Sequence, residues 1–423
     1  MKKQLFILII LAFLSSYAGK SQIPVQAGPG QKLAELKNQL ANDLKNNILP
    51  YWSSKMPDEI NGGFFGRIDA SNRVIHDASK GGILNARILW TWSAAYRVTG
   101  NPEYLRLATR ARNYILSNFI DRKHGGAYMT LNHKGEIQDD RKHTYTQTFF
   151  IYGLSEYARA TGDRKALKEA KNIFKALEKN ALDREANGYF EVFSRDWQRL
   201  HDRLIGEKSP ADEKSMNTSL HIMEAYANLY RVWPTARMAE RLRNMVNIFL
   251  DHIIDKNTHH LIYFLDRNWN STSGIDSYGH DIEASWLIYE AATLLGDPEL
   301  IRKAREASVA IADAAAEGLM PDGSMLSEKD RETGRIRDTR GWWDQAEAVV
   351  GYVNAYELTE NEDYLNMAVK TWNFIEKYLI DRINGGWFAY VSPEGTPGGD
   401  KAGTWICPYH NSRMCLEIME RVK

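Results

Sequence analysis

The sequence is poor in features that define several common classes of protein. Its 423 residues include only two cysteines, Cys407 and Cys415. In a helical pattern, residues eight positions apart lie about 12 Å apart along the axis, which is too far for a disulfide. Neither sign of charge is in excess, since 54 basic residues balance 54 acidic ones. This balance argues against a nucleic-acid groove or a polybasic membrane patch, and the fold must depend on its core.

Long apolar runs are also missing, except near the N-terminus. Residues 1–22 combine two lysines, an apolar run at 5–14 and a small-residue site at Ser16-Tyr17-Ala18. This pattern is typical of a secretory signal peptide and is too short for a comfortable transmembrane span. We therefore expect an exported, periplasmic protein that leaves the membrane after cleavage. Its single catalytic domain would span residues 23–423.

Motifs for metal and cofactor chemistry are absent as well. The sequence has no HExxH motif, no paired cysteine spacing, no glycine-rich phosphate loop after a strand and no GxSxG elbow. We therefore predict no metal and no cofactor. What remains is acid–base chemistry carried by histidines, in a site that also holds carboxylates.

The sequence does contain a recurring turn pattern. An aspartate, followed four residues later by two glycines or their substitutes, begins each copy at Asp58, Asp121, Asp183, Asp255 and Asp381. The steps between these aspartates are 63, 62, 72 and 126 residues, the last being twice 63. A sixth copy without the aspartate is expected near Gly318. Fixed periods of this kind indicate a repeat architecture.

Helical periodicity occupies the sequence between these turns. It predicts twelve helices in six pairs, at 31–50, 81–98, 103–118, 144–161, 164–181, 214–231, 234–253, 280–295, 298–317, 341–359, 363–379 and 406–421. The last helix is as apolar as the middle ones, whereas an open stack needs a polar cap at each end. We therefore predict an all-α fold, an (α/α)6 barrel with short β-hairpins in its long connections.

Residues suited to chemistry lie at the start of every second helix. In a closed barrel these helices would form the inner ring, with all their N-termini at one end. The residues are Asn85, Arg87, Tyr145, Gln147, Asn217, His221, His280, Glu283, Trp286, Trp342, Trp343, Gln345, Glu347, Trp405 and His410, with Arg67 at the same end. Singly, each has a structural interpretation, such as a core tryptophan. Their joint placement indicates a site for a sugar.

Several sequence blocks are long and specific. They include GGFFGRID (62–69), MNTSLHIMEAYANLYRVWP (216–234), GHDIEASW (279–286), WWDQAEAVVGYVNAY (342–356) and WICPYHNSRMCLE (405–417). From about residue 32 to the C-terminus, the chain resembles the cellobiose 2-epimerases of the N-acylglucosamine 2-epimerase superfamily. The resemblance implies cofactor-free epimerisation at C2 of the reducing-end sugar of a β-1,4 disaccharide, converting cellobiose to 4-O-β-glucosyl-mannose. We expect a monomer or weak dimer.

The resemblance also implies roles for individual residues. His280 and His410 would remove and return the C2 proton through a cis-enediolate, work for which histidine is suited near neutral pH. His221 would open the sugar ring, and Arg67 would hold the enediolate oxygen. The remaining assignments are Glu283 and Glu347 for histidine protonation and hydroxyl binding, and Asn217, Tyr145, Asn85, Trp286, Trp343 and Trp405 for the sugar. The chain departs from the group at Ser219, where histidine is usual.

Other functions stay open at this point. A β-1,4-mannobiose 2-epimerase reacts at the same carbon, and protonation of the same enediolate at C1 would make an aldose–ketose isomerase. An N-acylglucosamine 2-epimerase is a further alternative. An inverting glycoside hydrolase would need two carboxyl groups across the bond, whereas histidines dominate this site. An exported glycan-binding protein is the non-enzymatic alternative.

Overall fold

The computed structural model describes residues 28–200 and 213–422. The predicted signal peptide at 1–22 lies outside the described residues. Within them, no helix is both long and apolar enough to cross a membrane.

The helices follow the predicted order closely. Their bounds are α1 (Pro29–Asp43), α2 (Leu49–Lys55), α3 (Gly82–Thr99), α4 (Pro102–Tyr114), α5 (Thr144–Thr161), α6 (Arg164–Asn180), α7 (Met216–Val232), α8 (Ala236–Ile248), α9 (Tyr278–Leu295), α10 (Pro298–Ala315), α11 (Trp342–Thr359), α12 (Glu362–Phe374) and α13 (Tyr409–Arg421). A π-helical turn, Leu44–Ile48, joins α1 to α2 without a break. The described residues therefore form the twelve predicted helices.

Six helices form a closed inner ring. Helix α3 packs against α5, α5 against α7, α7 against α9, α9 against α11, α11 against α13, and α13 returns to α3. An outer layer covers them, because α4, α6, α8, α10 and α12 each pack on the preceding inner helix and α1 packs on α13. The predicted (α/α)6 barrel is confirmed.

Burial explains why the inner helices lack a strong polar face. Each is enclosed by two ring neighbours and one outer helix, so apolar residues are needed all around it. Large side chains such as Trp92, Tyr226, Trp286, Tyr352 and Tyr409 are almost fully buried. The outer helices instead alternate a buried stripe with a charged face, as α6 does.

Short strands lie in the long connections. They are β1 (Lys80–Gly81), β2 (Thr130–Leu131), β3 (Ile137–Asp139), β4 (Lys142–His143), β5 (Val192–Phe193), β6 (Lys214–Ser215), β7 (Phe264–Leu265), β8 (Ile275–Ser277), β9 (Glu328–Asp330), β10 (Ile336–Arg337), β11 (Arg340–Gly341), β12 (Tyr390–Val391) and β13 (Pro397–Gly398). The strands β1, β4, β6, β8 and β11 immediately precede inner helices, and each pairs antiparallel with a strand of the next long connection. This pairing fixes where each inner helix begins.

The sixfold repeat is present in the backbone. Equivalent β-bridges close all six turns, at Pro57–Phe64, Ile120–Ala127, Leu182–Tyr189, Ile254–Leu261, Leu319–Met325 and Ile380–Trp387. The copy near Gly318 is one residue shorter than the others. In the first copy the Asp58 carboxylate accepts two backbone N–H groups and the buried Lys80 ammonium at 2.8 Å. Equivalent lysine–aspartate pairs form at Lys142–Asp121 and Lys401–Asp381.

Candidate functional site

A cavity opens at the N-terminal end of the inner helices. Its volume is about 300 Å³, within the range of small-molecule sites. The residues that line it are Arg87, Tyr145, Asn217, His221, Tyr263, His280, Glu283, Glu328, Arg337, Trp342, Trp343, Trp405 and His410. Histidines, aromatic rings and a few charged groups thus meet in one concave site.

His280 is held by the residue that begins its helix. Ser277 is the N-cap of α9, yet its hydroxyl makes no capping bond to the backbone. It lies instead 2.7 Å from His280 Nδ1. Burial, with a contribution from nearby His221, lowers the pKa of His280 to about 3. The imidazole is therefore neutral at pH 7, and its Nε2 makes no hydrogen bond to any described residue.

His410 is held by a carboxylate. Its Nδ1 lies 2.7 Å from Glu347 Oε1, so a neutral ring that donates from Nδ1 keeps a free lone pair on Nε2. Burial, reinforced by the cations Arg87 and Arg413, lowers the pKa of His410 well below its usual value. Two neutral histidines with anchored Nδ1 atoms therefore line the same cavity.

His221 has a carboxylate partner of its own. Its Nδ1 lies 2.9 Å from Glu224 Oε2, one helical turn further along α7. Burial alone would raise the pKa of Glu224, but the charge of Arg413 and the hydrogen bond to His221 lower it to about 2. This carboxylate is therefore ionised and fixes the orientation of the ring.

One fully buried arginine joins the carboxylates behind the histidines. Arg413 Nη2 donates to Glu283 Oε1 at 2.5 Å and to Glu347 Oε1 at 2.6 Å, and its Nη1 donates to Glu224. Tyr409 completes this group through its hydroxyl, which donates to Glu224. The partners of His221 and His410 are thus tied together by a single guanidinium.

The pKa values of the two other carboxyl groups, those of Glu283 and Glu347, are raised. Burial, together with repulsion from Glu347, raises the pKa of Glu283 to about 7 in spite of Arg413. Burial also raises the pKa of Glu347. Two carboxylates beside one guanidinium cannot both be ionised cheaply in a dry site, so Glu283 changes its charge near neutral pH.

One group of potential metal ligands occurs among the described residues. Ligand atoms of Glu283, Glu347 and His410 lie within 4.8 Å of one another. The guanidinium of Arg413 contacts both carboxylates and holds the cationic position between them. A divalent ion there would face this fixed positive charge, so the geometry favours acid–base chemistry over metal binding.

Aromatic rings form the walls of the cavity. The indole of Trp343 contacts both His280 and His410, with centroid distances of 4.7 and 5.7 Å. Trp405, which is 38% exposed, packs edge-on against Tyr145 at 5.7 Å. An apolar plate beside polar groups is suited to the faces and hydroxyls of a sugar.

Comparison with known proteins agrees with this geometry. A profile of the N-acylglucosamine 2-epimerase (GlcNAc 2-epimerase) family matches residues 63–412. The chain belongs to the N-acylglucosamine 2-epimerase family. The predicted family resemblance and the assignment as an epimerase, an isomerase-class enzyme, are both confirmed.

The similarity of this family member to individual relatives extends over almost the full length of each relative. A cellobiose 2-epimerase of Bacteroides fragilis is 46% identical over 91% of this chain and 98% of its own. A cellobiose 2-epimerase of Ruminococcus albus is 39% identical over the same shares. The solved structure of cellobiose 2-epimerase from Bacillus thermoamylovorans B4167 is 40% identical, with a TM-score of 0.89 over 92% of this chain and 100% of its own.

The structure brings most of the predicted site residues of this family member together. His221, His280, His410, Glu283, Asn217, Tyr145, Trp343 and Trp405 all line the cavity. Glu347 lies directly behind it, bonded to His410. The buried Asn217 Oδ1 has no hydrogen-bond partner among the described residues, so it is available to a ligand hydroxyl. Ser219 donates to the Ser215 carbonyl oxygen and does not line the cavity.

Three predicted residues do not line the cavity. Arg67 does not line the cavity, because the bridge between Ile68 and Ala402 brings Asp400 beside it, and its Nε donates to Asp400 at 2.6 Å. Asn85 is buried and donates to the carbonyl oxygen of Gly81, the last residue of β1, while its Oδ1 has no hydrogen-bond partner among the described residues. Trp286 is buried behind the cavity, where its indole donates to Glu347 at 3.1 Å. It positions Glu347 and does not form a sugar-stacking wall.

Other important residues were not assigned a role from the sequence. Arg413 and Glu224 each lie three positions after a site histidine, in His410-x-x-Arg413 and His221-x-x-Glu224. That spacing places them on the same helical face, a signal that could have been used. Glu328 and Arg337 come from a hairpin, and only the pairing of β8, β9 and β10 brings them to the cavity.

Proposed function

We propose that this protein epimerises the reducing-end sugar of β-1,4-linked disaccharides at C2, with cellobiose and β-1,4-mannobiose as the substrates to test. One observation carries the proposal. Two buried, neutral histidines, each anchored through Nδ1, contact the same Trp343 in one cavity. The names of the relatives in Bacteroides fragilis and Ruminococcus albus support the choice of substrate.

The reaction needs an acid and a base on opposite faces of C2. The open-chain aldehyde makes the C2 proton acidic, and the Nε2 of one histidine removes it. The other histidine takes up a proton from water before the reaction and returns it to the opposite face of C2, and the first histidine then releases its proton to water. His410 is the more suitable proton carrier, since its Glu347 partner can stabilise an imidazolium, whereas Ser277 gives His280 no charge compensation.

His221 and Glu224 are suited to the preceding step. Ring opening requires a proton to move between the anomeric hydroxyl and the ring oxygen. A histidine whose Nδ1 is held by an ionised carboxylate has its Nε2 free for that transfer. We therefore propose that His221 opens and closes the sugar ring.

An NMR time course in D2O tests the function. Purified protein is incubated separately with cellobiose and with β-1,4-mannobiose. We expect loss of the reducing-end C2 proton signal together with growth of the C2 epimer, and the faster substrate identifies the preference. Growth of a ketose would indicate an isomerase, and release of monosaccharides would overturn the proposal in favour of a hydrolase.

We also propose that the protein is exported and acts on disaccharides in the periplasm. The support is the residue pattern of 1–22. Expression with the complete N-terminus in a Gram-negative host should place the mature chain in the periplasmic fraction, with an intact mass that corresponds to cleavage within this segment. Full-length protein in the cytoplasmic fraction would contradict export.

A further inference from the structure

The hydroxyl of Ser277 contacts a histidine ring, although a serine in its position usually caps the helix that follows. Ser277 is the last residue of β8 and the buried N-cap of α9. Ser215 has the same position between β6 and α7, and its hydroxyl accepts the Thr218 N–H at 3.1 Å. The Ser277 hydroxyl accepts no backbone N–H of its helix and lies 2.7 Å from His280 Nδ1. Two serines at equivalent positions therefore have different partners.

The backbone at these two serines differs as well. The ψ angle is 96° at Ser277 and 147° at Ser215, so the chain enters α9 and α7 in different directions. Pairing of Ser277 with Glu328 of β9 fixes the end of the strand. His280 follows three residues later, in the first turn of the helix, within reach of the hydroxyl. The β8–β9 pairing, and not a capping bond, therefore holds the Ser277 hydroxyl beside the ring.

This hydroxyl is the one hydrogen-bond partner that the His280 ring has in the described part of the chain. The other neighbours of the ring are aromatic, with Trp343 at a centroid distance of 4.7 Å and Tyr263 edge-on at 6.0 Å. Aromatic contacts restrict the tilt of the ring but do not determine which of its nitrogens carries the proton. A hydrogen bond to one nitrogen does determine this. The tautomer of His280 therefore depends on Ser277.

We propose that Ser277 is the positioning residue of His280, whose Nδ1–H donates to the serine hydroxyl so that the lone pair of Nε2 stays available to the substrate. This assignment rests on the proposed function. When Nε2 takes the C2 proton, the C–H electron pair stays on the sugar and Nδ1 keeps its own proton. The same hydrogen bond therefore serves the ring before and after the transfer, without rotation of the ring or a change of tautomer.

A hydroxyl can also donate a hydrogen bond, which gives the competing arrangement. A bond from Ser277 Oγ to His280 Nδ1 would place the ring proton on Nε2. The ring would then lack the lone pair that removes the C2 proton. The two tautomers have different 15N chemical shifts, so NMR of the unliganded protein distinguishes them.

The test compares Ser277→Ala with wild type and with Ser285→Ala. Ser285 is a matched control on the same helix, because its buried hydroxyl donates to the Ile282 carbonyl oxygen at 2.7 Å and it does not line the cavity. NMR at pH 7 of protein labelled with 15N-histidine reports the tautomer, and His280→Gln identifies the signals of His280. Initial rates with cellobiose give kcat and KM. Melting temperatures and calorimetric binding of cellobiitol, an alditol that cannot react, report whether each variant keeps its fold and its cavity.

We expect His280 of wild type to carry its proton on Nδ1. In Ser277→Ala the ring should shift toward the Nε2–H tautomer, and kcat should fall by about 5- to 10-fold, the effect of one neutral hydrogen bond. KM and cellobiitol affinity should stay within about twofold, because the hydroxyl acts on the ring and not on the bound sugar. Ser285→Ala should keep the wild-type tautomer and kcat, even if its melting temperature falls as far as that of Ser277→Ala.

Three results would overturn the proposal. The first is a wild-type ring with its proton on Nε2, a measurement that does not depend on the folding of any variant. The second is a Ser277→Ala protein with the tautomer and kcat of wild type. The third is an equal loss of kcat in Ser285→Ala, since damage to α9 would then explain the effect.

The proposed function and the role of Ser277 fail separately. If wild type does not exchange the C2 proton of cellobiose in D2O, the epimerase proposal fails. The 15N spectra of the unliganded proteins would still decide whether Ser277 sets the tautomer of His280.

Discussion

At the scale of single residues, the site depends on the pairing of its buried carboxylates with a buried cation. Arg413 is the counter-ion of Glu224, Glu283 and Glu347, and two of these hold histidines. Removing it would leave buried carboxylates without a cation. Their protonation would follow, and both histidines would lose the acceptor that fixes their Nδ1 proton.

Replacement of Arg413 by Met should therefore destabilise the protein by about 3–5 kcal/mol. Urea denaturation measures the change. Arg302 on α10 offers a matched control, because it also bridges two carboxylates, Glu299 and Glu306, but at the surface. Arg302→Met should change stability by less than about 1 kcal/mol. Similar effects of the two substitutions would mean that Arg413 does not act as the buried counter-ion described above.

Glu283 provides a prediction about pH. Its pKa is raised from 4.5 to about 7 by burial and by Glu347. A group that binds its proton more tightly when folded contributes stability below its unfolded pKa and loses it as pH rises through the folded value. The free energy of unfolding of wild type, relative to that of Glu283→Gln, should therefore decrease by about 3 kcal/mol between pH 4.5 and pH 8. Urea denaturation of both proteins at pH 4.5 and pH 8 measures this change in the free energy of unfolding. A difference that does not vary with pH would be inconsistent with titration of Glu283.

The residues that sequence reasoning located correctly are those whose helix start determines their position. His221, His280 and His410 follow the beginnings of α7, α9 and α13, so helical spacing sufficed to place them at one end of the barrel. Arg67 could not be placed in this way, since its direction depends on pairing with a segment more than 300 residues away. For Trp286, spacing identified the inner side of the helix but not the depth at which the indole lies.

At the scale of elements, the start of each inner helix is tied to the preceding turn. Lys80 lies in β1, two residues before α3, and its buried ammonium contacts the fully buried carboxylate of Asp58. This pair links the repeat turn to the helix that carries Arg87. Its loss would leave Asp58 as an unpaired charge in the interior.

Lys80→Met should accordingly cost about 3 kcal/mol or more of unfolding free energy. The control is Arg106→Met on α4, where an exposed arginine pairs with exposed Glu103. That change should cost no more than about 0.5 kcal/mol. Equilibrium urea titrations of the two variants provide the comparison, and a Lys80 variant as stable as the control would show that the turn is not held by this pair.

Helix positions were predictable because periodicity and turn residues recur together, but some boundaries depend on local geometry. The first helix was expected to end at residue 50, near Pro50. The helix instead continues to Lys55, because Pro50 comes directly after the π-helical turn Leu44–Ile48, where the regular backbone hydrogen-bond pattern is already interrupted. The last helix begins at Tyr409 and not at 406, since Pro408 occupies its N-cap. The described residues also contain four π-helical turns, at Leu44–Ile48, Ile115–Phe119, Phe249–Ile253 and Ile375–Leu379. These turns have no sequence period of their own, so periodicity did not predict them.

At the scale of the whole molecule, two features of the sequence predicted the barrel. The repeated turns indicated six helix pairs, and the absence of a polar outer face on the last helix indicated that these pairs close into a ring. The structure shows the reason, since α13 packs against α3, α11 and α1 and so closes the ring. It also carries His410 and Arg413. Closure therefore completes the core and the site in one step, and each repeat supports a neighbour on both sides.

A closed ring should lose stability as one unit. Leu416 is 1% exposed on α13, and its replacement by Ala should cost about 3 kcal/mol. Hydrogen exchange followed by mass spectrometry should then show the slowest amides of α3, α7 and α11 accelerated by the same factor, because their exchange requires global opening. The exposed Ile383, which is 93% accessible, provides a control, since Ile383→Ala should leave these rates unchanged. In an open stack, acceleration would be confined to the helices next to α13 and α7 would keep its protection. That pattern would mean that contact between the first and last repeats adds little to the stability of the barrel.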